Sequence, residues 1–504
     1  MEAGKRARGR VATLIDEART YLPASALPEL ESIAIALADP LRVAVVGRVN
    51  AGKSTLVNAL LGQRVAPTAG TECTKLVTHY RYAPGQFRAT AVLHDGREQD
   101  LGVLHRNRLP ERLPAGLEEG AIARLEVGLP SAALEHRVVI DTPGLATVTS
   151  ELDEATRDAI LGRRATDRSS ASSPAADVLI FVFRDVDRAD ELGFIRQFIA
   201  ATSGGASAIN AIGVLSHADA HGAGVAGDED PVEVARRTAQ RIAGDYRGAL
   251  HSVVPIAGLL AETVQCGRLT EDDRRSLAAL VDANATLLAH WQPEDGVALL
   301  GERAAELEPH QVDRLQELLA PYGVEVARRI ADRGLIAVST DLLERSGLAA
   351  LETELHEHFQ LRADVLKASH ALAALKRLGH DSGEGQGERL LEDVEDLELD
   401  VDLHVLRELK ALEHLAQDDL RDEAVYAALE RLVAARSPHE MLGTGPECVA
   451  IDGGDLARRR ATEALTWANR ASHPTVAFAA RVASRSFQLL ARWIDDDSGN
   501  IHPA

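Results

Sequence analysis

The sequence predicts an α/β domain with a largely parallel sheet, joined to an α-helical bundle built from both ends of the chain. Three observations predict it. From Arg42 to about Phe359, short apolar runs of strand character alternate with segments of helical period, as successive βαβ units do. Within that stretch a glycine-rich turn, Gly47 to Ser54, stands between an apolar run and a helical one. Ahead of Leu41 and beyond Leu355 the apolar period is helical throughout.

Taken in order, Arg10 to Ala38 carries Val11, Leu14, Ile15 and Ala18, then Leu30, Ile33 and Leu37, at three- and four-residue spacing. Pro23 and Pro28 break the run, so two amphipathic helices open the chain. Arg42 to Val46 reads as a short buried strand, and Lys75 to Tyr82, Val138 to Ile140, Asp177 to Phe183, Ala211 to Leu215 and Val253 to Ile256 follow it. A stretch rich in Ala, Leu and Arg, about 260–345, is too long for a loop and reads as a helical extension of the same domain. Thr166 to Pro174 is polar and of low complexity, the composition of a mobile loop. Helical stripes then form from Leu355, Phe359 and Leu366, from Val405, Leu409, Leu412 and Ala416, and from Val425, Leu429 and Leu432. Turn signals separate the pieces at Gly379 to Gly387, Ser437 to Pro438, Gly443 to Pro446 and Gly453 to Gly454. The opening helices also need to bury an apolar face and are expected to join the bundle. The expected domains are residues 1–40 within the bundle, 41–360 for the α/β domain with its extension, and 361–504 for the rest of the bundle.

A chain of 504 residues suits two or three domains. Its 55 Lys and Arg against 77 Asp and Glu leave a net charge of -22, which disfavours nucleic-acid coating, and no nucleic-acid partner is expected. The excess is uneven: Asp381 to Asp402 holds ten acids against the single base Arg389, which bars that stretch from anionic lipid more than it bars the basic ends. With 45% hydrophobic residues global disorder is excluded, and with 3% aromatics the aliphatic side chains must do the packing. Cys73, Cys266 and Cys448 are too far apart for a disulfide framework or a zinc ribbon and fit a reducing cytosol. The amino terminus lacks the apolar core and cleavage site of a signal peptide, and no run reaches the ~18 apolar residues of a spanning helix. The expected location is cytoplasmic, with any membrane contact peripheral, at the inner face of the plasma membrane.

The motif Gly47-Arg48-Val49-Asn50-Ala51-Gly52-Lys53-Ser54, followed by Thr55, is a phosphate-binding loop. Phosphates need backbone N–H groups aimed inward at a helix amino terminus, and glycine lets the main chain come that close. Lys53 is placed to neutralise the β and γ phosphates and Ser54 to ligate Mg²⁺. Asp141-Thr142-Pro143-Gly144 follows the run Arg137 to Ile140, where a carboxylate at a strand end holds Mg²⁺ through water and the Gly144 N–H senses the γ-phosphate. Between the two motifs, Thr68 to Thr74 is the place for a threonine that completes the Mg²⁺ coordination; Thr74 is the choice, with Thr71 its rival. Ser216-His217-Ala218-Asp219 ends a strand, and a fixed carboxylate at Asp219 accepts the N1–H and N2–H pair of guanine, which adenine does not offer. His217 stands where a lysine stem usually lies over the purine, with Ser216 in place of Asn or Thr. Val253 to Gly258 ends the next strand, where a backbone N–H at Ala257 would meet the guanine oxygen. GTP and GDP with Mg²⁺ are the expected ligands.

Two departures bear on mechanism. Leu145 is apolar where small signalling GTPases use Gln to orient the attacking water. Asn50 is where one group of GTPases holds a monovalent cation between the phosphates, so that K⁺ replaces an arginine finger; capping a turn is the equal alternative.

With these motifs in place, the segments VAVVGRVNAGKSTLVNALLG, ECTKLVTHYRY, VVIDTPGL, GVLSHADAHGAG and VVPIAGLLA, then LLERSGLAALETEL and HFQLRADVLKASHAL, resemble those of bacterial dynamin-like GTPases from Leu41 to about Leu378. The resemblance implies an α/β P-loop GTPase domain with a helical extension on an α-helical bundle stalk made of N- and C-terminal helices. It implies nucleotide-dependent self-association through the GTPase face, work on membranes such as fission, fusion or repair, and a longer dynamin-like protein as a hetero-partner. No apolar or aromatic loop stands out as a lipid-inserting paddle. The local candidate for lipid is Thr475 to Ile494, with Phe478, Val482, Leu489 and Trp493 on one stripe beside Arg481, Arg485 and Arg492; the alternative is a bundle helix that buries Phe478 and Trp493. Two other readings stand beside the mechanochemical one: a low-turnover regulatory or structural partner, motivated by His217 and Leu145, and a ribosome-associated GTPase, for which no basic RNA-binding module is visible.

Overall fold

The computed structural model describes residues 2–67, 76–85, 87–103, 109, 121–143, 176–184, 210–222, 229–246, 250–291, 297–417, 420, 423–435 and 437–499. Thr166 to Pro174 lies outside these residues. Strand β1, Leu41–Gly47, runs parallel to β6, Arg137–Asp141, on one side and to β7, Val178–Phe183, on the other. Strands β8, Ala211–Ser216, and β9, Val253–Ile256, extend the parallel set. Beyond β6 lie β2, Thr78–Tyr82, which is antiparallel to it, β5, Ile122–Leu129, parallel to β2, and the antiparallel β3, Arg88–Leu93, and β4, Glu98–Val103. Among the described residues the order is β4-β3-β5-β2-β6-β1-β7-β8-β9. Each of the five parallel strands was legible as a short apolar run; β3, β4 and β5 were not, because β3 and β5 mix buried with less buried positions and β4 is largely polar.

Strand alternation divides the core between the two faces of the sheet. Val43, Val45, Val178, Ile180 and Val182 face one side, with helix α3, Lys53–Leu61; Ala44, Val46, Leu179, Phe181 and Phe183 face the other. That second side is covered by α4, Pro231–Asp245, and by the helical extension. The extension comprises α5, Gly258–Gln265, α6, Glu271–Ala279, α7, Ala285–Ala289, α8, Pro309–Arg328, and α9, Leu335–Ser346. Asp230 caps α4 by accepting from the Val232 N–H, and Thr270 and Asp273 close a capping box on α6, so both helices start where their sequences supply an N-terminal acceptor. Helix α10, Leu348–Glu354, then passes through a π-helical turn, Leu355–Phe359, towards the bundle.

The opening helices are α1, Glu2–Ala18, and α2, Leu27–Ala38; Pro28 lies in the first turn of α2, where its missing N–H costs nothing, and so begins that helix rather than breaking it. Ala7, Val11, Leu14, Ile15 and Ala18 form the buried stripe of α1, each large aliphatic contributing ~1.5 to 3 kcal/mol. The stripe packs on α11, Ala363–Asp381, and polar contacts frame it: Arg8 to Asp364 at 2.8 Å, Arg10 to Asp400 at 2.6 Å and the Tyr21 hydroxyl donating to Asp393 at 2.6 Å. The bundle continues through α12, Gln386–Leu399, α13, His404–Gln417, α14, Glu423–Ala434, α15, Pro438–Leu442, α16, Pro446–Arg470, and α17, Pro474–Gly499. Helix α16 runs unbroken through Gly453 and Gly454, where the sequence signalled a turn. A Cβ at Gly454 would stand 2.4 Å from Asp495 Oδ1, so this glycine admits the close approach of α17, and that packing outweighs its helix penalty of ~1 kcal/mol. On α17 the buried stripe is Ala479, Ala480, Ala483, Phe487, Leu490 and Ile494; Phe478 and Trp493 are 41% and 49% exposed, so this bundle helix does not bury them as the alternative reading had it.

The sheet meets the bundle through a buried charged cluster. Asp177, just ahead of β7, accepts from the Arg42 N–H at 2.8 Å and from Lys367 Nζ of α11 at 2.9 Å; His370 Nδ1 lies 3.3 Å away. Lys367 Nζ also donates to the Ala36 carbonyl of α2 at 2.8 Å. Burial alone would raise the Asp177 carboxyl, but Arg42 and Lys367 hold it well below the usual carboxylate range. A second tie is bidentate: Arg137, at the start of β6, donates to both Glu352 oxygens of α10 at 2.8 and 2.7 Å.

Candidate functional site

The parallel strands β1, β6 and β8 end together, and their ends carry the motifs. Gly47 closes β1 at φ 152°, and a Cβ there would stand 2.1 Å from the Val182 carbonyl of β7, so only glycine lets the loop leave the sheet at this point. Gly52 caps α3 at φ 90°, and Asn50 takes the left-handed conformation at φ 62°, which Asn tolerates better than most residues. The resulting nest turns backbone N–H groups towards the α3 terminus. Lys53 is 7% exposed and its Nζ donates to the Arg48 carbonyl at 2.9 Å, so the amine is held across the mouth of the loop. Burial lowers the Lys53 amine from its ordinary value, and Asp141 opposes that shift. Val49 and Asn50 are exposed at the crest of the loop.

Asp141 lies at the end of β6, paired in register with Val45 of β1, and the Ser54 hydroxyl donates to its Oδ2 at 3.3 Å. The Thr142 hydroxyl donates to the Val45 carbonyl at 2.8 Å and fixes the turn that follows, with Pro143 buried beyond it. Burial pushes the Asp141 carboxyl up to about 6, against the pull of Lys53, Ser54 and the Thr142 backbone. Its Oδ1 is buried with no hydrogen-bond partner among the described residues. An orphaned carboxylate oxygen beside a hydroxyl, both hard donors, fits a Mg²⁺ ion.

Ser216 and His217 abut the loop: a Cβ at Gly52 would lie 3.8 Å from Ser216 Cβ and 4.0 Å from His217 Nε2. The Ser216 hydroxyl donates to the Phe183 carbonyl at 3.2 Å, which ties the end of β8 to β7. His217 adopts φ 54° and bonds to the Asn50 backbone; burial, helped by Arg184, lowers its imidazole so that it stays neutral at pH 7. Asp219 is half-buried in the turn after His217, and burial raises its carboxyl against its own backbone N–H and the two neighbouring histidines. Ala257 differs from expectation. Its N–H donates to the Ser346 carbonyl of α9 at 2.9 Å, so this amide is engaged in tying β9 to the extension rather than facing a purine. Gly258 lies closer to the loop, with a Cβ there 3.6 Å from Thr55 Cγ2.

The structure thus gathers Gly47 to Thr55, Asp141 to Pro143, Ser216, His217 and Asp219. Thr71, Thr74, Gly144 and Leu145 lie outside the described residues. Sequence reasoning passed over Asn58, fully buried on α3: its Oδ1 accepts from the Val65 and Ala66 N–H groups at 3.0 and 2.8 Å, and its amide donates to Glu262 of α5 at 2.8 Å. A polar residue inside the apolar run Leu56 to Leu61 was the available signal. It clamps the chain as it leaves the phosphate-loop helix.

Residues 43–166 match the dynamin family. Over 462 residues the chain is 30% identical to the isoniazid-induced protein IniC of Mycobacterium tuberculosis, with 88% of each chain covered. The tRNA modification GTPase MnmE of Zymomonas mobilis is 42% identical over 124 residues, 23% of this chain and 25% of that one. A solved structure of an oligomerised bacterial dynamin pair overlays with a TM-score of 0.33 at 14% identity, covering 97% of this chain and 91% of its own. Since the similarity to IniC runs nearly end to end, through loop and bundle alike, the chain belongs to the dynamin family, among the bacterial dynamin-like, GTP-hydrolysing proteins close to IniC.

Proposed function

We propose that this GTPase is mechanochemical, coupling nucleotide-dependent pairing of its GTPase domains to remodelling or maintenance of a membrane. The observation that carries the catalytic half is the convergence of Lys53, Ser54 and the buried Asp141 at one helix terminus, with Ser216 to Asp219 against the same loop. In this reading the Gly47 to Ser54 backbone cradles the phosphates and Lys53 exchanges the Arg48 carbonyl for β and γ oxygens. Ser54 and Asp141 would hold Mg²⁺, with Thr74 completing the set; the ion supplies charge neutralisation at the β and γ phosphates. Gly144 would sense the γ-phosphate, Asp219 accept from guanine N1–H and N2–H, and the neutral His217 ring lie over the purine. Asn50 would hold K⁺.

The membrane half is supported by the exposed Phe478 and Trp493 on α17, flanked by exposed Arg481, Arg485 and Arg492, while no helix among the described residues is long and apolar enough to cross a membrane. The family supports self-association and a longer dynamin-like hetero-partner. The low-turnover reading keeps one observation in its favour, the histidine in place of the purine-covering lysine. Turnover measured against protein concentration decides: a rate per molecule that rises with concentration is expected, whereas a flat, negligible rate supports the regulatory partner.

A further inference from the structure

His251, Glu354 and His358 meet at the end of the sheet opposite the phosphate loop. His251 precedes β9 by two residues and is fixed by its N–H, which donates to the Ala211 carbonyl of β8 at 2.8 Å. Glu354 is the last residue of α10, and His358 follows it by four residues inside the π-helical turn, a spacing that stacks both side chains on one face. Both imidazoles approach the same carboxylate oxygen: His251 Nε2 lies 3.7 Å and His358 Nε2 3.5 Å from Glu354 Oε2. One donor atom of each residue lies within 4.8 Å of those of the other two. The two rings lie against each other with centroids 3.9 Å apart and planes tilted by 47°. The Ser252 hydroxyl donates to Glu354 Oε2 at 3.2 Å and orients the carboxylate, while His358 Nδ1 is buried with no hydrogen-bond partner among the described residues.

Separations of 3.5 and 3.7 Å are too long for strong hydrogen bonds. They are close to the ~3.4 Å that separates neighbouring ligand atoms around a tetrahedral ion with bonds of about 2.1 Å. Two imidazoles and a carboxylate suit a divalent transition metal rather than Mg²⁺ or Ca²⁺, which take oxygen donors. All three side chains are only partly exposed, and a hydroxyl in the surrounding shell already positions the acid, as supporting groups do around metal ligands. Three protein ligands leave a position for water.

We propose that His251, Glu354 and His358 bind a divalent transition-metal cation of the zinc class, and that the ion fastens the edge of the sheet to the segment leading into the stalk. His251 belongs to the sheet, whereas Glu354 and His358 belong to the chain that runs from α10 towards α11, so ligation cross-links two parts of the molecule a hundred residues apart. The site is separate from the nucleotide site, and binding there needs neither GTP nor Mg²⁺.

The test uses the full chain stripped by chelator and kept in saturating Mg²⁺, so that oxygen-donor sites are filled. Co²⁺ is added and followed by visible absorption, and Zn²⁺ is measured by competition with a chromophoric chelator. One equivalent is expected to bind, at least tenfold more weakly to Glu354→Gln and to His358→Ala, with the unfolding midpoint rising on Zn²⁺ addition in the parent alone. Should His358→Ala fail to fold, the near-isosteric Glu354→Gln carries the comparison. Binding no tighter than millimolar in the parent, or undiminished in the variants, overturns the site.

Discussion

Asn50 holds φ at 62° on the exposed crest of the phosphate loop, a conformation that costs other side chains ~1 to 2 kcal/mol, and its carbonyl side is turned to His217. If its side-chain oxygen holds K⁺ between the phosphates, turnover is expected to be several-fold faster in K⁺ than in Na⁺. Asn50→Gly relieves the backbone while removing the oxygen, and Asn50→Ala removes it with added strain; both should abolish the salt preference. Equal rates in the two salts, or a preference kept by the glycine variant, would show that Asn50 only shapes the turn. The phosphate loop itself was legible because its chemistry is local: eight consecutive residues supply nest, amine and hydroxyl. The partner of the Ala257 amide was not legible because it is the Ser346 carbonyl, some ninety residues on, and no spacing in the sequence encodes that contact. The histidine pair with Glu354 was hidden for the same reason.

At the scale of the element, α13 carries an exception to its own amphipathic rule. Glu408 is buried among the bundle helices beside Ser486, and burial lifts its carboxyl from an ordinary value near 4.5 to about 7. Since the folded value lies above the unfolded one, this group favours folding fully below about pH 4.5 and loses that contribution as pH rises through about 7. His404, one turn earlier, is lowered by burial to about 4 and so is neutral across the same window. Glu408→Gln is therefore expected to stabilise the protein at pH 8, by up to ~3 kcal/mol, with little effect at pH 5. Urea unfolding at the two pH values measures it, and an equal effect at both would place the Glu408 carboxylate in water. Element by element, the helical stripes were readable because Leu, Val and Ala recur at helical spacing in α1, α13 and α14. The hairpin β3–β4 was not, although Asp95-Gly96 at its turn was a usable mark: the apolar run of β3, Ala91 to Leu93, is short, and β4 presents Glu98, Gln99 and Asp100 to solvent.

For the whole molecule, the joint between sheet and stalk depends on Asp177, Arg42 and Lys367. Asp177→Asn strands the buried Lys367 charge and should cost about 3 to 5 kcal/mol, whereas Lys367→Met leaves Asp177 with Arg42 and should cost less. The double variant should cost less than their sum, because neither residue then strands the other's charge. Denaturant midpoints measure this cycle; losses near zero for both single variants would mean that packing alone joins the two parts. The ten acids from Asp381 to Asp402 lie in and around α12, whereas Arg481, Arg485 and Arg492 lie on α17, so acid and base are segregated along the stalk sequence. Strand β1 gives the joint its mechanical meaning. Arg42 at one end touches the stalk anchor and Gly47 at the other begins the phosphate loop, five residues apart, or ~17 Å of extended chain. Clamped by parallel neighbours along both edges, that strand is one stiff member with the phosphate loop at one end and the stalk anchor at the other.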